Sequence, residues 1–342
     1  MSGKTEETNR IKWYRTPLEK EALAALVQRS DAKGLIQAGG FLMLLAMTGT
    51  AAFWVQRNLA WPWLVPALFI HGTVYAFLIN AVHELSHGTV FRTKWLNGFF
   101  LNLFAFLGLN NHVYFRASHT RHHQYTLHFP QDAEVVLPIR LTLKGFFQTA
   151  FVNWPRLKWQ IGQLIRFAFG RFKGDWEILL MKDLKVRAAA VRQARIVLAG
   201  YTLLAAVSIA CGFWIVPVLT ALAPFYGEGL NYLLNNTQHV GLRDNVDDFR
   251  LCSRTIRVNP LFRFLYWHMS WHTEHHMYAA VPCYNLSKLH RAVAYDLPPA
   301  PKGLAAVWHQ ISSILFFQKL DPAYQFSPPL PASPNQTNEE IK

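Results

Sequence analysis

The chain is poor in charge. Asp, Glu, Lys and Arg make up only 16% of its 342 residues, against roughly 25% in soluble domains. A surface that is mostly water-facing is therefore excluded. Acidic residues are the scarcer sign, and the formal net charge is +14. The basic residues are nevertheless scattered among Trp, Phe and Leu, and no nucleic-acid-binding motif is present, so a nucleic-acid partner is not expected. Cysteine is nearly absent. Cys211, Cys252 and Cys283 have no CxxC spacing, which leaves no disulfide framework and no thiolate metal site. The first twenty residues, MSGKTEETNRIKWYRTPLEK, lack an apolar core and a small-residue cleavage site and do not read as a signal peptide. No internal repeat is evident.

What is abundant is apolar and aromatic, 51% and 14% of the chain, and the mean hydropathy is +0.09. Four segments approach the roughly 20 apolar residues a membrane span needs: about 35–55, 61–82, 196–216 and 217–234. The short link Gln56–Ala60 makes the first two a tight hairpin, and Pro217 is well placed to start the fourth span after the third. The segment 83–195 carries 16 Lys and Arg against 6 Asp and Glu. The excess of positive charge puts that segment and both termini on the cytoplasmic side of a multi-pass integral membrane protein. Leu96–Leu109 is too short to span and contains two asparagines, so it reads as an interfacial or re-entrant helix. Gly145–Phe172 interleaves aromatics with Arg and Lys, as helices lying on a membrane surface do. The expected organisation is a cytosolic segment 1–34, a single all-α membrane domain 35–326, and a Pro-rich disordered tail 327–342.

Chemistry is concentrated in histidine. Of fifteen, nine form a pattern: His83 and His87 as HxxxH, His119, His122 and His123 as HxxHH, His272, His275 and His276 as HxxHH again, and His239 alone after the fourth span. Residues three and four apart share a helix face, so HxxxH aims two imidazoles at one point. HxxHH aims two and swings the third toward a neighbouring point, and the set can surround two metal ions. Imidazole suits Zn, Cu, Fe and Ni. Nine histidines exceed what one tetrahedral zinc needs, whereas two six-coordinate irons would use them and keep positions for water or dioxygen. HELSH also matches the zincin form HExxH, with Glu84 as base, so a zinc hydrolase is the rival reading. A zincin would have no use for the two HxxHH boxes.

The cues HELSH at His83–His87, SHTRHHQYT at Ser118–Thr126 followed by Asp132, WHTEHHMY from Trp271 and VPCYNLSKLH ending at His290 resemble the membrane fatty acid desaturase and hydroxylase superfamily. The resemblance covers roughly Val65 to His290. It implies a four-helix membrane stalk in two hairpins, with a cytosolic cap (83–195 and 235–326) holding a di-iron centre. By the same resemblance the three boxes and His239 are iron ligands, and Asn235 holds a metal-bound water. N-x-x-x-H-x-G-L at Asn235–Leu242 also resembles membrane alkane hydroxylases, but the second box is of desaturase type. His128 stands where many desaturases have Asn. No cytochrome b5-like His-Pro-Gly-Gly occurs, so electrons must come from a separate donor of ferredoxin, rubredoxin or cytochrome b5 type. The basic face could dock such an acidic partner.

The expected activity is therefore oxidation of an unactivated C–H bond with two Fe ions and O2. Acyl-chain desaturation is the first reading, and hydroxylation of an acyl chain, a lipid headgroup or a small hydrophobic molecule is the alternative. A non-catalytic metal carrier would need ionisable residues threaded through the spans, and only His71 and Glu228 offer themselves. Glu84, Asp132 and Glu274 are candidate acceptors that orient ligand imidazoles. His268 and His71 read as polar contacts before ligands, and His112, His290 and His309 as structural or surface groups.

Overall fold

A computed structural model describes residues 10–331. Among these residues the chain is helical, with four isolated β-bridges and no strand. The helices are α1 (Lys20–Leu26), α2 (Asp31–Asn58), α3 (Trp61–Tyr75), α4 (Leu78–Ser86), α5 (Lys94–Leu107), α6 (His112–Tyr125), α7 (Leu143–Ala150), α8 (Trp154–Ala168), α9 (Gly174–Leu180), α10 (Leu184–Ala210), α11 (Ile215–Leu219), α12 (Gly229–Asn235), α13 (Phe249–Cys252), α14 (Pro260–Leu265), α15 (His272–Met277), α16 (Leu286–Val293) and α17 (Gly303–Leu320).

Among the described residues, three helical stretches are long and apolar enough to cross a membrane: α2, α3 continued by α4 (Trp61–Ser86), and α10. Their outer faces carry Ile36, Met43, Trp63, Ile70, Leu203 and Ile209 exposed, side chains that only lipid would tolerate as a band. Leu59 and Ala60 alone join α2 to α3, and the two pack along each other. The chain bends at Ala76–Phe77, where Phe77 N bonds to Val74 O (3.2 Å) in place of the next helical acceptor. α4, which follows, carries the first histidine box at its end.

Two expected spans differ. The third, 196–216, is the end of a longer helix that starts at Leu184. Asp183 caps it by accepting from Lys185 N and Val186 N. Its first turns carry Arg187, Arg192 and Arg195, which masked the helix in an apolar window. It stops at Ala210, and Gly212 follows with φ +75°. The fourth, 217–234, is not one helix. It breaks into α11, a short 3₁₀ turn at Ala223–Phe225 and α12. Pro224 brings no N–H, and Gly227 lies at φ +72°. The backbone freed by the break is met by residues 151–153: Asn153 N donates to Phe225 O (2.7 Å), and Gly227 N donates to Phe151 O (3.2 Å). Irregular backbone of this kind survives in a membrane protein only where protein covers it.

The expected short apolar helix is α5. Its asparagines are spent locally. Asn97 Nδ2 donates to Leu85 O (2.8 Å), a carbonyl in the last turn of α4 that also accepts from Gly88 N (3.0 Å), and Asn102 Oδ1 faces His112 Nε2 (3.1 Å). The expected surface segment forms α7 and α8. A single large core joins α2, α4 and α5 to the loop before α15. Trp267 is fully buried there, edge-on to Phe41 and Phe104. Residues 327–331 have no regular structure, whereas 1–9 and 332–342, most of the expected tail, lie outside the described residues.

Gly72 of α3 is where α3 meets Tyr226, since an added Cβ would run into the Tyr226 ring and carbonyl. At Gly39 of α2 nothing lies within 4 Å of the same atom. Thermal unfolding in detergent should therefore show Gly72→Ala destabilised by about 1–3 kcal/mol. Gly39→Ala should gain up to about 1 kcal/mol, and equal effects at both positions would contradict this packing.

Candidate metal centre

Each histidine box sits at or near the end of a short helix, and the ends converge. His83 lies in the last turn of α4 and His87 is its C-cap. His119, His122 and His123 occupy the last two turns of α6. Asn111 fixes the start of that helix, accepting from Tyr114 N (3.1 Å) and donating to Ala190 O of α10 (2.8 Å). His272, His275 and His276 form most of α15, and His239 stands four residues after α12.

The nine histidines divide into two sets. Side-chain nitrogens of His83, His87, His119, His123 and His275 all lie within 4.8 Å of one another, as do those of His122, His239 and His276. His272 joins the second set, its Nε2 being 2.9 Å from His239 Nε2 and 3.1 Å from His276 Nε2. The division follows helix arithmetic. Residues four apart are turned by only about 40°, whereas the member three along sits about 100° from its neighbour. So His119 and His123 stay together while His122 crosses to the second set, and His272 and His276 stay together while His275 crosses to the first.

Five of the nine outward nitrogens face a partner, whereas Nδ1 of His123, His272 and His275 has none. His83 Nδ1 faces Glu84 Oε1 (3.0 Å), His119 Nδ1 faces Glu134 Oε1 (2.8 Å) and His122 Nδ1 faces Asp132 Oδ2 (2.8 Å). His239 Nδ1 donates to Cys252 O (2.7 Å). Thr126 Oγ1, which itself donates to His122 O (2.7 Å), faces His276 Nδ1 (3.3 Å). A proton held on Nδ1 leaves the Nε2 lone pair pointing inward. Inward, His123 Nε2 faces both His119 Nε2 (3.0 Å) and His275 Nε2 (3.1 Å), and His272 Nε2 likewise faces two others. One nitrogen carries one proton at most, so protons cannot satisfy both contacts. Nε2 of His83 and of His87 is buried with no hydrogen-bond partner at all. A cation at the focus of each set would take all these lone pairs. Bonds of about 2.1 Å at right angles put neighbouring nitrogens about 3.0 Å apart, which is the spacing seen. The residues fit two metal ions with imidazole-only protein ligands.

Burial also keeps the rings neutral, the form that binds metal. His87 and His239 are pushed down to about 3, mainly by burial, and His119, His123, His272, His275 and His276 lie well below the usual value for the same reason. His122 is the exception. Burial is the largest influence and opposes its charge, but the bond to Asp132 and the charges of Asp132 and Glu134 together outweigh it and raise it.

The other expected site residues are placed as follows. Glu84 and Asp132 each hold an imidazole, and Asp132 also accepts from Leu127 N and Glu134 N (both 2.9 Å). The Glu274 carboxylate hydrogen-bonds to none of the nine. Its carboxylate takes the Thr255 hydroxyl and His290 Nδ1 (2.5 Å), so His290, expected to be a plain structural or surface group, is its partner and stacks on Trp271. Asn235 belongs to a closed ring of amides: Asn80 donates to Asn235 (3.2 Å), Asn235 to Asn231 (3.2 Å) and Asn231 to Asn80 (2.8 Å). The ring ties α4, three residues before His83, to α12, four before His239. His71 bonds to Thr48 Oγ1 and Leu219 O within the membrane part, and His268 joins neither set. His128 faces Thr126 O and the edge of Trp13. Sequence reasoning missed Glu134, Thr126 and the Cys252 carbonyl. The one available signal was Asp132-x-Glu134, two carboxylates just past a histidine box.

A sequence model described as fatty acid desaturase matches residues 59–308. The sphingolipid delta(4)-desaturase/C4-monooxygenase of Homo sapiens is 25% identical over 280 residues, 78% of this chain and 78% of that protein. The sphingolipid delta(4)-desaturase of Gallus gallus is 33% identical over 90 residues, 25% of this chain and 27% of that protein.

Glu134→Gln should weaken metal retention about 10–100-fold, the usual effect of losing a carboxylate behind a ligand histidine, read by chelator competition. Glu274→Gln should leave retention near wild type. The reverse ranking would contradict the placement of both.

Proposed function

The chain belongs to the fatty acid desaturase family, and on that premise we propose that this oxidoreductase uses two iron ions, dioxygen and electrons from a separate donor to desaturate an acyl chain of a lipid. The observation that carries the proposal is the division of nine converging histidines, seven of them buried, into a set of five and a set of four. The iron pair, when bound, supplies the oxidising power to take hydrogen from an unactivated C–H bond, which no side chain possesses.

The ligands proposed are His83, His87, His119, His123 and His275 for one ion and His122, His239, His272 and His276 for the other, with Asn235 acting through a water. The chain's own residues position and enclose. Glu84, Asp132 and Glu134 fix ring orientation, and the amide ring of Asn80, Asn231 and Asn235 holds α4 and α12 in register. Phe115 stacks on His119 (5.3 Å, 15°) and lines a cavity of about 330 Å³ on the other side. A second cavity, of about 660 Å³, is lined by Arg10, Trp13, Arg15 and His123. Its basic wall beside a ligand histidine suits an acidic electron donor of ferredoxin, rubredoxin or cytochrome b5 type. In this reading the three long helices and the broken segment 217–234 form the membrane part in two hairpins. The cap, both termini and the site then face the cytoplasm, supported by the basic excess in 83–195.

Hydroxylation is the second reading, favoured by a relative whose name joins desaturase and monooxygenase. A zinc hydrolase is disfavoured by geometry: Glu84, its base, is buried and bonded to His83, and its two histidines share a focus with three others.

Mass spectrometry of products from iron-loaded enzyme with a reducing partner separates the readings as loss of two hydrogens against gain of one oxygen. His275→Ala should lower turnover at least about 100-fold, more than loss of an outer partner costs. Full activity in that variant would sink the ligand assignment.

A further inference from the structure

Eight of the nine histidines sit on α4, α6 or α15 or cap one of them, so helix geometry aims their rings. His239 has no such support. It follows the end of α12 by four residues, in a turn that Gly241 continues at φ +71°. A turn of this kind holds a side chain in place only where other groups tie its backbone down.

The ties come from one short segment, Cys252–Arg254. Cys252 O accepts from His239 Nδ1 (2.7 Å), and Arg254 N donates to Gln238 O (2.8 Å). The Arg254 side chain takes the carbonyls on either side of the ligand. Its Nη1 donates to Thr237 O (2.7 Å) and its Nη2 to Val240 O (3.1 Å), while Nε donates to Gln310 Oε1 (3.2 Å) of α17. A planar guanidinium fixes the separation of its donors, so one rigid group sets both carbonyls.

This guanidinium is held at a cost. It is only 6% exposed, no carboxylate pairs with it among the described residues, and burial pulls it down to about 10. A buried cation without a counter-ion is unfavourable. Nor does its charge help the site. It disfavours a positive charge on His239, and it would repel a bound metal cation in the same way. What is left to account for the cost is the shape it imposes on the 237–240 turn.

We infer that Arg254 is a positioning residue for the ion of the four-histidine set: its guanidinium clamps the backbone on both sides of His239 and so aims that ring. The inference rests on the two-ion reading above and goes beyond it by naming what fixes the one ligand that no helix aims. Arg254 itself touches neither ion nor substrate.

The sign of the effect separates positioning from charge. Acting by charge alone, Arg254 would weaken the ions, and its removal would tighten them. Acting by position, its removal loosens one ion and spares the other. Full-length protein in detergent is loaded with iron(II) without oxygen, and the iron retained per chain is followed against increasing chelator. In Arg254→Gln one ion should be held at least about tenfold more weakly, as when a group behind a ligand histidine is lost, and the other within about twofold of wild type. On a His239→Ala background, Arg254→Gln should leave the remaining ion within about twofold, because a residue that acts only through His239 has nothing further to act on. Arg254→Lys keeps the charge without the paired donors and should behave as Arg254→Gln does. It decides the matter if the glutamine variant does not fold. Unchanged or tighter retention in either variant, equal weakening of both ions, or a further loss on the His239→Ala background would each overturn the inference. Failure of the two-ion reading would show instead in the wild type, as a count other than about two irons per chain.

Discussion

Everything in the cap answers to one constraint, the convergence of inward-facing imidazole nitrogens that protons alone cannot satisfy. His123 Nε2 and His272 Nε2 each face two other Nε2 atoms near 3 Å. Two neutral lone pairs at that distance repel, and buried polar atoms without partners are expensive. A cation at the focus of each set would reverse the sign of this cost. The outer carboxylates complete the balance: Glu84, Asp132 and Glu134 put negative charge behind the rings that would hold positive ions.

The membrane part serves the same end. The bend at Ala76–Phe77 delivers α4 to the site, Asn97 closes the end of α4, and the amide ring locks α4 to α12. The break after α11 costs a continuous span but brings Glu228, Asn231 and Asn235 to the wall of a cavity one turn below the ligands. The histidine sets and the cavity share α4 and α6, which contribute His83 with Ile79 and His119 with Phe115.

Much of this was legible in the sequence because it depends on spacing along one helix. The HxxxH and HxxHH boxes fix which histidines travel together, and the odd member of each triplet crossing to the other set follows from 3.6 residues per turn. The all-helical class, the link between α2 and α3 and the non-spanning Leu96–Leu109 were readable from apolar run lengths. What was not legible depends on tertiary approach. Glu134 reaches His119 only because the chain doubles back after α6, and Glu274 turns to His290 and Thr255 because α16 packs against α15. The run Pro217–Leu234 has the composition of a span, and only its contacts with residues 151–153 reveal that it is broken.

The central claim is that the two histidine sets hold two ions, and iron per chain, counted by elemental analysis of the iron-loaded protein, tests it most directly. The account predicts about two irons in the wild type, as two imidazole-rich sites require, and about one when His239, the member of the four-residue set outside the boxes, is replaced by Ala. A single zinc per chain with no iron taken up, or an iron count that His239→Ala leaves untouched, would contradict it.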